Sequence, residues 1–226
     1  MSDPVRREVL SDGVYRKIRA HLLSDGVEPG SRLSIDALAK KYQVSQTPVR
    51  EALARLESEG LVVKRALAGY SATLPLDLKG FDELFEMRHL LEPSAASRAA
   101  MTATQEELVA LDVILQTMSA SAPNDDVARY REFASLDEQF HKSIAVMSGN
   151  TLLADAIDRL QVHKHFYKMY YYEQGLTDDA MGEHQRVLAA LRDHDPLSAS
   201  AAMAEHIEQS RLRLRPTYVA SDEGIL

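Results

Sequence analysis

The sequence predicts a mainly α chain in two parts, a winged helix-turn-helix followed by an antiparallel bundle of six helices. Three observations carry that expectation. A helix–turn–helix pattern spans residues 30–61, a short hairpin pattern follows it directly, and helical periodicity runs almost unbroken from Leu78 onward. A chain of 226 residues has room for two such domains, and its 45% apolar content is enough to build a core.

The first helix is expected over residues 5–23, with Val14, Ile18, Leu22 and Leu23 on one face. Two glycines and a proline in residues 24–31 break it. A second helix is expected over 35–42, capped by Ser34, and a third over 46–59, stopping at Gly60. Two β-type runs, 61–64 and 69–74, then read as a hairpin, and Pro75 marks a linker. The predicted domains are therefore residues 1–75 and 76–226. In the second, helices are expected at 77–100, 104–120, 124–148, 151–174, 177–193 and 196–214, and the breaks at 122–124, 148–150, 174–175 and 193–196 each carry a glycine or proline beside a cap.

The absence of cysteine excludes disulfides, thiolate metal sites and a cysteine nucleophile. A polar N-terminus and the lack of any apolar run long enough to span a membrane point to a cytoplasmic protein with no membrane partner. The net charge of −8 argues at first against nucleic acid. It is unevenly spread: residues 1–75 hold twelve Lys/Arg against nine Asp/Glu, a net of +3, which leaves −11 for the rest. That asymmetry suits a chain with one end against phosphate.

The segment from Gly30 to Leu61 supplies the candidate DNA contacts. Leu38, Ala39, Val44, Val49, Leu53 and Leu56 are spaced to pack, which leaves Gln46, Thr47, Arg50 and Arg55 assigned to the outside of the third helix. Ser45 is placed to cap that helix, and Pro48 falls in its first turn. The start of such a helix meets base edges in the major groove: Arg50 can bridge guanine O6 and N7 or grip a phosphate, and Gln46 can read adenine N6 and N7. Arg32, ahead of the second helix, is a further candidate contact. The plain alternative is a merely solvated helix face.

Leu38-Ala39, then Val44-Ser45-Gln46-Thr47-Pro48-Val49-Arg50-Glu51-Ala52-Leu53, Leu56-Glu57 and Gly60-Leu61 resemble the GntR family of bacterial regulators. The resemblance implies a winged helix that binds a palindromic operator in double-stranded DNA as a homodimer. It also implies base contacts from Arg50 and Thr47, phosphate contact from Ser45, and minor-groove contact from Lys64 or Arg65 in the wing. Two features depart from the family pattern. Gln46 stands where many relatives carry arginine, and the wing, residues 64–70, has only one of the usual glycines.

In the second part, Asp137 and His141 are four residues apart and share a helix face, and His184 and His206 lie beside apolar residues at helical spacing. Three neutral imidazoles and a carboxylate suit a divalent metal such as Zn²⁺, Ni²⁺ or Mn²⁺, and bundles build such sites from inward side chains on facing helices. Hydrogen-bonded core histidines are the alternative.

Glu86 to Pro93, Asp137, Phe140-His141, Gly149-Asn150, Glu183-His184 and His206 resemble the FCD sensing domain of the FadR subfamily, and six helices its VanR-like branch. That resemblance implies a metal held by Asp137, His141, His184 and His206. A small organic acid is expected to complete its shell, with Arg88 gripping the carboxylate; an ion pair with Glu92 one turn on is the competing role for Arg88. His163, His165, Tyr167, Tyr170, Tyr171 and Tyr172 cluster on the predicted 151–174 helix as cavity, core or dimer residues. The function expected is a transcription regulator, in the family habit a repressor, and not an enzyme. A metal-dependent enzyme, a pure metal sensor and a purely structural metal remain as alternatives.

Overall fold

The computed structural model describes residues 4–22, 27–66, 68–74, 76–120, 127–170 and 178–222. The chain divides into two units, Met1–Pro75 and Leu76–Leu226. In the first, α1 (Pro4–Leu22) buries Val14, Ile18 and Leu22, one turn apart on a single stripe. It packs on α3 (Gln46–Ser58), whose buried face is Val49, Ala52, Leu53 and Leu56. The Tyr15 hydroxyl ties the same two helices, donating to both Glu59 oxygens at 2.8 Å. Burial and the Glu59 charge push that phenol up to about 12.

Between them, α2 (Ile35–Tyr42) starts where Ser34 Oγ accepts the Ala37 N–H. It ends at Gln43, which takes the left-handed conformation (φ +56°) while the Val44 N–H reaches back to the Ala39 carbonyl. The end of α3 is built alike with the residue that favours it. Gly60 (φ +80°) lets Leu61 N–H bond Leu56 C=O while both side chains are buried.

β2 (Val62–Arg65) and β3 (Gly69–Ala72) form the expected hairpin. The sequence reading missed a third strand, β1 (Arg32–Leu33), which pairs with β3 so that the sheet order is β1-β3-β2. Two residues are too few to show alternation, which explains the miss. Gly30 (φ +73°) leads into it, and a Cβ there would lie 3.0 Å from the Leu74 side chain.

The second unit comprises α4 (Leu78–Thr102), α5 (Gln105–Ala120), α6 (Val127–Met147), α7 (Thr151–Tyr170), α8 (Asp178–Arg192) and α9 (Pro196–Asp222). Its starts are capped by Asp77, by a Thr104–Glu107 reciprocal pair, by Asn150 and by Asp195. The core runs through Phe81, Leu111, Met118, Phe140, Ile144, Val187, Leu191, Met203 and Ile207. Ala96, Ala99 and Ala100 on α4 are fully buried, and α4 packs most extensively on α9. The expectation ends α9 at 214, before Pro216; the helix instead continues to Asp222. The buried Tyr218 ring, 4.2 Å from that of Phe81, anchors the turns that the proline would otherwise weaken. Among the described residues no helix is long and apolar enough to cross a membrane. The side chains of the His163–Tyr172 cluster lie outside the described residues.

A side chain in the left-handed region costs about 1 kcal/mol more than glycine there. Gln43→Gly is therefore expected to raise the melting temperature of the first unit by a few degrees in calorimetry. An unchanged or lower value would show that the Gln43 side chain itself stabilises the turn.

Candidate nucleic-acid interface and candidate metal centre

The first unit places Ser45, Gln46, Thr47 and Arg50 on the exposed side at the start of α3. Gln46 Nε2 donates to Asp36 Oδ1 at 2.5 Å, and Arg50 donates through Nη2 to Gln46 Oε1 at 3.1 Å. Asp36, in the first turn of α2, was not singled out from sequence; its nearness to Gln46 follows only once the two helices meet at the turn. Arg32 is exposed on β1, and Lys64 and Arg65 on β2, with the Lys64 ammonium 5.7 Å from the Tyr70 ring. Leu67 in the wing lies outside the described residues.

Two readings need correction. Arg55 is not on the face of Gln46 and Arg50: five residues carry it roughly 140° around the helix from Arg50. It pairs with Asp12 at 3.0 Å and Glu59 at 3.4 Å, with its guanidinium 3.9 Å over the Tyr15 ring, so it binds α3 to α1. Ser45 has N-cap backbone geometry but makes no side-chain cap bond. Pro48 occupies the third helical position and has no N–H to offer the Ser45 hydroxyl.

In the second unit, buried polarity is concentrated in one place. Among the described residues the buried polar or charged side chains are Arg88, Glu92, Asp137, His141, Glu183, His184 and His206, plus Ser148 elsewhere. Asp137 and His141 come from α6, Glu183 and His184 from α8, His206 from α9, and Arg88 and Glu92 from α4. Each sits at three- or four-residue spacing from core positions such as Phe140, Val187, Met203 and Ala96. One ligand atom from each of Asp137, His141, His184 and His206 lies within 4.8 Å of all the others. Asp137 Oδ1 is 3.2 Å from His184 Nε2 and 3.7 Å from His141 Nε2.

Two carboxylates fix the imidazoles. His141 Nδ1 is 2.5 Å from Glu92 Oε2, and His206 Nδ1 is 2.8 Å from Glu183 Oε2. Each carboxylate is itself held by an arginine. Arg88 Nε donates to Glu92 at 2.6 Å, and Arg213 grips Glu183 through both terminal nitrogens, Nη2 at 2.7 Å. Burial alone would raise Glu92, but the Arg88 and His141 beside it hold its carboxyl far below the usual range. A proton on Nδ1, on the side of the carboxylate, would leave each Nε2 to present a lone pair. Those atoms face each other at 3.1 Å. Two lone pairs so placed repel unless a cation or an added proton lies between them. In their charged forms, three carboxylates and two guanidiniums leave the cluster with one negative charge in excess. Ligands ~2.0–2.2 Å from one ion stand roughly 3–4 Å apart, close to the separations seen. The donor set and its charge fit a divalent metal.

The competing role for Arg88, pairing with Glu92, is present, and it uses only Nε. Nη1 and Nη2 are buried without a hydrogen-bond partner among the described residues. Sequence reasoning missed Glu183 and Arg213 as parts of the site. Arg213 lies seven residues after His206, two turns on the same face, which is the signal that would have found it.

Matches to known proteins follow the same division. Residues 83–209 match the FCD domain and residues 10–69 match the bacterial regulatory proteins of the gntR family. The chain belongs to the GntR family. Among curated relatives of this GntR-family regulator is the Uxu operon transcriptional regulator of Escherichia coli, 31% identical over 227 residues that cover 87% of this chain and 83% of the relative. Another is the regulator LutR of Bacillus subtilis, 29% identical, covering 80% and 90%. The solved structure of McbR/YncC from E. coli is similar with a TM-score of 0.77 and 25% identity, covering 92% and 98%. These families and relatives are DNA-binding transcription regulators rather than enzymes, which removes the metalloenzyme alternative.

Breaking a buried pair by removing one partner costs about 3–5 kcal/mol, whereas replacing both by apolar groups is often neutral. Glu92→Leu is expected to destabilise the GntR-family chain by about that much in denaturant titration, and adding Arg88→Met to recover most of the loss. A single substitution that costs nothing would mean that water reaches Arg88.

Proposed function

We propose that the chain is a cytoplasmic, sequence-specific repressor whose residues 1–75 bind a palindromic operator as a homodimer and whose residues 76–226 sense a divalent metal and a small organic acid. Ser45, Gln46, Thr47 and Arg50, together on one exposed face, support the assignment of α3 to the major groove. Arg32, Lys64 and Arg65 are assigned to the phosphates and the minor groove beside it. The six helices α4–α9 favour the VanR-like branch of the FadR subfamily.

The sensing half is supported by one observation, the buried cluster in which one ligand atom from each of Asp137, His141, His184 and His206 lies within 4.8 Å of the others, with the two Nε2 atoms of His141 and His206 at 3.1 Å. Asp137, His141, His184 and His206 are the assigned ligands for Zn²⁺, Ni²⁺ or Mn²⁺. A metal held there supplies a Lewis-acidic point for the oxygens of an acid, since four protein ligands leave open positions on a six-coordinate ion. Arg88, held by Nε and with its terminal fork unused, is the assigned carboxylate receptor. An acid changes DNA affinity only by binding two states of the dimer differently, and half-site spacing, ~34 Å per helical turn, is the quantity those states would alter.

In metal titrations of chelator-treated protein, a tight site is expected that Asp137→Ala abolishes. Glu183→Gln keeps all four ligands and is expected to weaken the site about 10–100-fold. In thermal-shift screens of small carboxylic acids, a true effector at 100 times its Kd adds about 2.7 kcal/mol. Arg88→Ala is expected to remove the acid response and keep the metal response. A metal shift with no response to any acid would assign a pure metal sensor instead.

A further inference from the structure

The exposed polar groups at the start of α3 form a chain with a fixed direction. Asp36 Oδ1, Gln46 and Arg50 are joined by contacts of 2.5 and 3.1 Å through the two ends of the Gln46 amide. An ionised carboxylate only accepts and a guanidinium only donates, so the amide has one orientation: NH₂ toward Asp36, oxygen toward Arg50. Reading adenine would have to use the second N–H and the second oxygen lone pair of an amide whose plane Asp36 and Arg50 already fix. Arg50, by contrast, has five N–H donors and gives one to Gln46. Its remaining Nη donors still make the fork that guanine O6 and N7 accept.

We propose that Gln46 is a positioning residue: it holds Arg50, with Asp36 behind it, in the rotamer that reads guanine, and it does not read a base itself. This replaces the adenine contact expected for Gln46 from sequence, and it rests on the DNA-binding reading above. Two physical gains support the arrangement. A long, flexible guanidinium loses its rotamer freedom before binding rather than during it. The Asp36 charge reaches Arg50 through a neutral amide, so it polarises the chain without standing against DNA phosphate as the nearest neighbour of the base.

The test needs no known operator. Full-length wild-type, Gln46→Ala, Asp36→Asn and Arg50→Ala proteins are each used to select from a randomised DNA duplex pool, and enriched sequences are compared column by column. All three side chains are exposed, and melting curves check that each variant folds. The wild type is expected to show a strongly preferred G·C pair in each half-site that Arg50→Ala loses. Gln46→Ala and Asp36→Asn are expected to relax that same column by about 3- to 10-fold and to change no other. Loss of an adenine preference in a different column on Gln46→Ala would make Gln46 a direct reader and overturn the proposal. An unchanged profile would overturn it too, by showing the chain dispensable. A wild-type protein that enriches no sequence would overturn the DNA-binding reading itself, a failure visible before any variant is compared.

Discussion

A carboxylate placed against one nitrogen of an imidazole decides what the other nitrogen can do. In this bundle Glu92 and Glu183 take the Nδ1 sides of His141 and His206, and the Nε2 sides turn inward to within 3.1 Å of each other. The rest of the second unit is arranged around that constraint. Four helices each bring a charged or ionisable group into an otherwise apolar core, and α4 and α9 bring the arginines that balance the carboxylates. Charged groups out of water are costly one by one. Their mutual pairing makes the position of each helix depend on the others, so the core cannot slide in register without stranding a charge.

The two Arg–Glu–His chains look alike in composition and differ in what they leave over. Arg213, 17% exposed, spends both terminal nitrogens on Glu183, and it closes its side of the cluster. Arg88, 1% exposed, spends Nε alone, and its two buried terminal nitrogens have no hydrogen-bond partner among the described residues, at a cost of about 1–3 kcal/mol each. That difference is what the proposed role of Arg88 as a carboxylate receptor rests on.

Much of this was legible in the residues. The bounds of α2 follow from Ser34 at one end and the break before Val44 at the other, and the bundle's helices follow from glycines, prolines and caps at their junctions. Asp137, His141, His184 and His206 each stand beside apolar residues at helical spacing, which turns each into the bundle, and the resemblance to the FCD domain grouped them as one set. What escaped was set by contacts between elements. β1 exists because β3 offers it an edge, α9 outlasts Pro216 because Tyr218 finds Phe81, and Glu183 reaches a histidine on another helix rather than its neighbour in sequence. Arg55 was misplaced for a different reason: a basic residue near a recognition helix invites the DNA reading, while simple helical geometry already turns it toward α1.

The start of α3 carries a final consequence. Pro48 at the third position removes one of the two N–H groups that an N-cap hydroxyl accepts from, and Ser45, which makes no side-chain cap bond, stays exposed at the positive end of the helix dipole. The free protein thus gives up part of the stability that a self-satisfied helix end would have. A phosphate oxygen is the natural acceptor and counter-charge for that end. On the proposed reading, in which the start of α3 meets DNA, the imino acid would move a fragment of the helix's stabilisation out of folding and into association.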